Sequence, residues 1–158
     1  MAITKVTSSV LDVDIPAYKA FGTSSIMIGD DATGTINAAN HNTGVGVDVF
    51  AALTSGDGNT TVGFASMDAL TTGVSNTALG GSALGGLTTG SANVAVGSAA
   101  LITLTTGSNN TACGSGSLEA STGSSNTAIG FEALAANTTA NNNTAVGADC
   151  LDTNTTGT

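Results

Sequence analysis

From residue 25 onward, the apolar and polar positions of this chain keep one period. Large apolar residues stand at Phe50, Met67, Leu84, Leu101, Leu118, Leu134 and Leu151, each four residues after a glycine. A second apolar column stands seven after the glycine, at Ile36, Leu53, Leu70, Leu87 and Leu104, and turns polar in the last three repeats. The glycines fall at 29, 46, 63, 80, 97, 114, 130 and 147, a spacing of 17 residues with a single step of 16. Each closes a five-residue string such as Asn76-Thr77-Ala78-Leu79-Gly80 or Asn126-Thr127-Ala128-Ile129-Gly130. Thr-Thr-Gly stretches such as Thr88-Thr89-Gly90 punctuate the repeats, and Thr122-Gly123 is the shortened copy. A fixed register of this length is not a property of disorder. No segment carries a 3.6-residue stripe, whereas the five-residue string alternates as a strand does.

The pattern predicts an all-β fold: a parallel β-solenoid of about eight 17-residue coils spanning residues 23–158. Each coil is expected to hold a strand, a corner, a second short strand and a corner, with Gly and Asn at the corners. Stacked coils lie about 4.8 Å apart and set equal positions above one another. The column before each glycine reads Ile28, Val45, Val62, Leu79, Val96, Cys113, Ile129 and Val146. It is expected inside, with the Leu column. Asn42, Asn59, Asn76, Asn93, Asn110, Asn126 and Asn143 are expected to form a ladder, each amide bonding the next coil and tolerating a left-handed corner. Ala78, Ala95, Ala112, Ala128 and Ala145, beside Gly80, Gly97 and Gly114, are expected on the opposite face of the strand, as the surface where subunits meet. A thin rod burying few aliphatics per coil argues for such self-association.

Composition narrows the function. The chain has 158 residues, 2 Lys+Arg against 11 Asp+Glu, and a net charge of −9. So little positive charge excludes nucleic acid as a partner. No run of apolar residues is long enough for membrane insertion, and no secretory signal opens the chain, so synthesis in a host cytoplasm is expected. His41 is the single histidine, at a corner, and neither a catalytic triad nor a metal set assembles around it. Cys113, in the column expected inside, and Cys150 are read as reduced, small apolar residues. Neither an enzyme nor a cofactor is expected. Asn59-Thr60-Thr61 and Asn137-Thr138-Thr139 match a glycosylation sequon as by-products of the repeat.

The Asn-Thr-Ala-Val-Gly string resembles the head repeats of trimeric autotransporter adhesins of the YadA-like type, and repeats of bacteriophage fibres and virion surface proteins. The resemblance covers about residues 25–158. It implies a left-handed parallel β-roll, three copies of which associate around a central axis. The 17-residue period is longer than the adhesin repeat. The expected absence of a secretion signal, stalk and membrane anchor also departs from the adhesin pattern. These departures favour a virion protein over a bacterial adhesin.

Residues 1–22 do not follow the period. They hold both lysines, Lys5 and Lys19, and the only Pro and Tyr. Ile3, Val6, Val10, Val13, Ile15 and Tyr18 make this segment either a cap on the first coil or an arm that adds a strand to a larger structure. The function these features predict is a non-enzymatic structural protein of a phage particle. It would be a homotrimeric capsid decoration or spike on the virion surface, held to a coat or tail protein by residues 1–22. The alternative is a host-binding tail fibre or adhesin head that takes a host-surface glycan. An ice-binding solenoid is the third class. It is disfavoured because the adjacent threonines of the Thr-Thr-Gly corners point different ways and do not form two parallel outward ranks.

Overall fold

The computed structural model describes residues 17–19, 25–29 and 39–157. Among these, nine short strands form one sheet in chain order. They are β1 Ala17–Lys19, β2 Ile26–Gly29, β3 Thr43–Gly46, β4 Thr60–Val62, β5 Thr77–Leu79, β6 Val94–Val96, β7 Thr111–Cys113, β8 Thr127–Ile129 and β9 Thr144–Val146. β1 runs antiparallel to β2, with Tyr18 opposite Ile28. β2 to β9 are parallel, each the neighbour of the next. Residues 17 apart are partnered, as in Ala78 with Ala95, until Thr111 meets Thr127. The chain is therefore a parallel β-solenoid with one strand per coil, and no helix occurs among the described residues. Of the N-terminal arm residues, Ile3, Val6, Val10, Val13 and Ile15 lie outside the described residues.

Among the described residues, the second strand expected in each coil does not form. Its place is taken by a turn wall in which alternate residues are left-handed: Ser82 (φ 57°) and Leu84 (φ 53°), then Ala99 (φ 58°) and Leu101 (φ 55°). This lets the wall hydrogen-bond both ways. Ser82 N donates back to Phe64 O, and Leu84 N donates forward to Ala100 O. A left-handed leucine costs roughly 1–2 kcal/mol. Complete burial of its side chain is of comparable or larger worth, about 1.5–3 kcal/mol.

Phe50, Met67, Leu84, Leu101, Leu118 and Leu134 are fully buried, as are Leu53, Leu70, Leu87 and Leu104. The Leu column expected inside is inside, with Leu151 of the last coil exposed; the second apolar column is buried too, its Ile36 lying outside the described residues. The strand, however, has the opposite parity to the one its apolar residues suggest. Ala78 is 1% exposed and Leu79 is 49% exposed. Ala95, Ala112, Ala128 and Ala145 are likewise buried within their own chain, so they are not a subunit surface. The cause lies two residues earlier. Asn76 is buried, and period-two alternation carries Ala78 to the same side and turns Thr77 and Leu79 outward. Leu84 and Leu87 are fully buried in the same core, and the residue the strand adds to it is the small Ala78.

The one 16-residue coil keeps register because the deletion falls at a corner. Thr122 retains its bonds to Thr138 O, while the position held by the exposed Thr89 and Thr106 elsewhere is omitted.

Candidate functional site

Three ladders of polar groups run along the rod, the first of them unbroken from Asn42 to Asn143. In the first, Asn76 donates from both its backbone N (2.9 Å) and its Nδ2 (3.1 Å) to Asn59 Oδ1, while Nδ2 also reaches Gly90 O (2.9 Å). The two bonds to Oδ1 recur at each step from Asn59 to Asn143. The expected ladder is present, but its asparagines do not take the left-handed corner. The residue before each one does, as at Ser75 (φ 59°), Ala92 (φ 57°) and Asn109 (φ 61°).

The second ladder joins Thr54, Thr71 and Thr88, each Oγ1 donating to the carbonyl of the threonine one coil on at 3.0 Å. Thr122 and Thr138 repeat it. In the third, a side-chain acceptor takes the backbone N–H of the preceding coil: Asp57 from Asn40, Ser91 from Val74, Ser108 from Ser91, Ser124 from Ser108 and Asn141 from Ser124. Sequence reasoning missed this last ladder because its members differ in type and share only acceptor chemistry.

The glycine column takes part in the stacking of the coils. Gly80, Gly97 and Gly114 have φ of 139°, 133° and 146°, and a Cβ on any of them would collide with the glycine carbonyl of the next coil. Their role is the close approach of successive coils.

What faces out from the sheet is an uncharged surface of parallel ranks. One rank is Thr43, Thr60, Thr77, Val94, Thr111, Thr127 and Thr144. Beside it stand Ile28, Val45, Val62, Leu79, Val96, Cys113, Ile129 and Val146, all exposed except Val96, which is half-buried. Along the flank just after the glycines, Phe64 is 62% and Phe131 52% exposed, and Val47 is exposed as well. Cys113, expected inside, is therefore on the surface, while Cys150 packs partly against the core; both are free thiols.

The described carboxylates lie off these ranks, at Asp48, Asp57, Asp68, Glu119, Glu132, Asp149 and Asp152. Burial, with a smaller contribution from neighbouring Asp48, holds the Asp68 carboxyl above its ordinary range. His41 is exposed. Among the described residues, no three His, Cys, Asp or Glu side chains gather as a metal site, and no helix is long and apolar enough to cross a membrane. The sequon asparagines Asn59 and Asn137 are buried.

These features define a laddered β-solenoid with one uncharged, partly apolar face. Comparison with family models, with curated proteins and with solved structures finds no match.

Proposed function

We propose that this chain is a non-enzymatic structural protein of a phage particle, a homotrimeric capsid decoration or spike held to a coat or tail protein by residues 1–22. One observation carries the reading. The polar chemistry of the rod is spent on its own stacking, since among the described residues every buried side-chain N or O except Asn137 Oδ1 has a partner. What results is a stiff, regular spacer, which is a structural part rather than a reacting one. The described portion of the N-terminal segment, β1, lies at the edge of the sheet, where further strands can be added.

The test compares the full chain with a variant lacking residues 1–22, each mixed with particles stripped of the protein and co-sedimented. Circular dichroism is recorded alongside. The full chain is expected to pellet with particles and the folded truncation to stay in solution. Binding by the truncation moves the anchor to the solenoid, and failure of both to bind removes the virion reading.

A further inference from the structure

We infer that the turn wall is a docking surface for a basic segment of a partner protein, an extended peptide with arginine or lysine at two places about six residues apart. This contact is separate from residues 1–22 and does not rest on the virion reading. Three observations carry it.

The first is a pair of exposed aromatic rings that the fold does not require. Phe64 and Phe131 are 62% and 52% exposed, and each follows the closing glycine of its strand. Other coils fill the same position with Gly81, Ser98, Ser115 and Ala148. Those coils keep the same strand register. An exposed phenyl face is a platform for a cation.

The second is charge. Six of the seven described carboxylates stand on this one wall: Asp48, Glu132 and Asp149 two residues after the glycine, and Asp68, Glu119 and Asp152 five after. The seventh, Asp57, accepts the Asn40 N–H in the third ladder. Other exposed positions, such as those of Thr77, Thr89 and Ala92, stay uncharged. Backbone bonding sets acids beside a ring, since Asp149 N donates to Phe131 O at 2.8 Å. A Cβ on Gly116 would stand 3.2 Å from Glu132 Cγ and 3.5 Å from Glu119 Oε2, so both acidic side chains lie over one glycine. Burial and then the charge of Asp48 hold the Asp68 carboxyl raised, so the acids near Phe64 also oppose each other. The repeats supply no cation to relieve them, because both lysines, Lys5 and Lys19, lie within residues 1–22. A basic partner relieves that repulsion and lays its charge against the rings.

The third is spacing. Phe64 has its acids in Asp48 and Asp68, and Phe131 has its own in Glu119 and Glu132. The two rings are four coils apart, about 19 Å at the stacking distance of parallel strands. Between them the wall is small and neutral, with Ser82 and Ala99 where the acids stand elsewhere. An extended peptide rises about 3.3 Å per residue, so cations about six residues apart reach both groups.

The experiment uses the full chain and fluorescence anisotropy of a labelled peptide with two arginines at each end and about four uncharged residues between. The peptide is expected to bind and to weaken steeply as salt rises. A peptide of the same composition with its arginines contiguous is expected to bind about tenfold more weakly, because it reaches one group only. Phe64→Ser with Phe131→Ser, which installs the residue of Ser98 and Ser115, is expected to weaken binding about tenfold with circular dichroism unchanged. Asp48→Asn with Glu132→Gln is expected to do the same. Asp57→Asn, which removes an acid away from the wall and keeps an acceptor for Asn40, is expected to leave binding intact.

Absence of binding at low salt overturns the inference. So does equal binding of the two peptides, or a loss with Asp57→Asn as large per charge as that from the wall acids, since either reduces the effect to net charge. Unchanged binding by the phenylalanine variant removes the rings from the site and overturns it too. Capture of a neutral oligosaccharide in place of the peptide, lost with the same phenylalanine variant, assigns the wall to sugar instead.

Discussion

Gly44 lies directly against the ring of Phe50: a Cβ at position 44 would stand 3.0 Å from Phe50 Cδ2 and 3.1 Å from Val49 Cγ2. In later coils the same three places hold Ala78, Ala83 and Leu84, all fully buried or nearly so. Volume is traded between strand and turn wall within one coil. Gly44→Ala is therefore expected to cost about 1–3 kcal/mol in the wild-type chain through overpacking. In a Val49→Ala/Phe50→Leu background the same substitution is expected to stabilise, because it recreates the later coils' set. Chemical denaturation of the four variants checks the reversal of sign; a cost in both backgrounds refutes the trade.

The next coil solves the same problem with hydroxyls. Thr61 and Ser66 occupy those places, both fully buried, and hydrogen-bond each other. Thr61→Ala or Ser66→Ala alone leaves one buried hydroxyl without its partner, at a cost of about 1–3 kcal/mol. The double variant, which matches Ala78 and Ala83, is expected to be more stable than either single one. A double-mutant cycle from urea melts measures the coupling.

Asn137 stands where earlier coils place leucine and is fully buried, and its Oδ1 has no hydrogen-bond partner. Its Nδ2 donates to Ala140 O at 3.3 Å, a carbonyl that Asn126 Nδ2 already reaches at 3.0 Å. Asn137→Leu relieves the orphaned acceptor and is expected to stabilise by about 1–3 kcal/mol. A higher melting temperature confirms this; a lower one shows that the coil cannot take the larger apolar group.

Asp68 gives the pH dependence. Burial, helped by Asp48, raises its carboxyl above the ordinary 3.8. The folded state then holds the proton more tightly than the unfolded state, so stability falls as pH rises from that value through the folded one. Asp68→Asn is expected to raise the melting temperature at pH 7 and to leave it unchanged well below pH 3.8. An equal rise at both would assign the effect to something other than ionisation.

The parity of the strand shows how sequence and structure divided the problem. Period, coil length, Leu columns and Asn ladder were legible because stacking turns each into a repeated residue. Which side of the strand faces inward was not, because hydrophobicity alone sends Leu79 inward and Ala78 out. The signal was present in the asparagine: a side chain that serves a buried ladder must point inward, and Ala78, two residues on, points with it. The i and i+5 pairing of Gly44 with Val49, or Thr61 with Ser66, was a second signal.

The sequence by itself determined that this chain coils, at what period, and which residues stand above one another, since those follow from repetition along one dimension. Only the tertiary structure decided which face of the strand lies inside and which lies out. That choice depends on the gap between two walls of the same coil, where Ala78, Leu84 and Leu87 are all fully buried or nearly so. A one-dimensional pattern carries residue sizes but not the distance across which they must fit, so the exposed rank from Ile28 to Val146 emerged only in three dimensions.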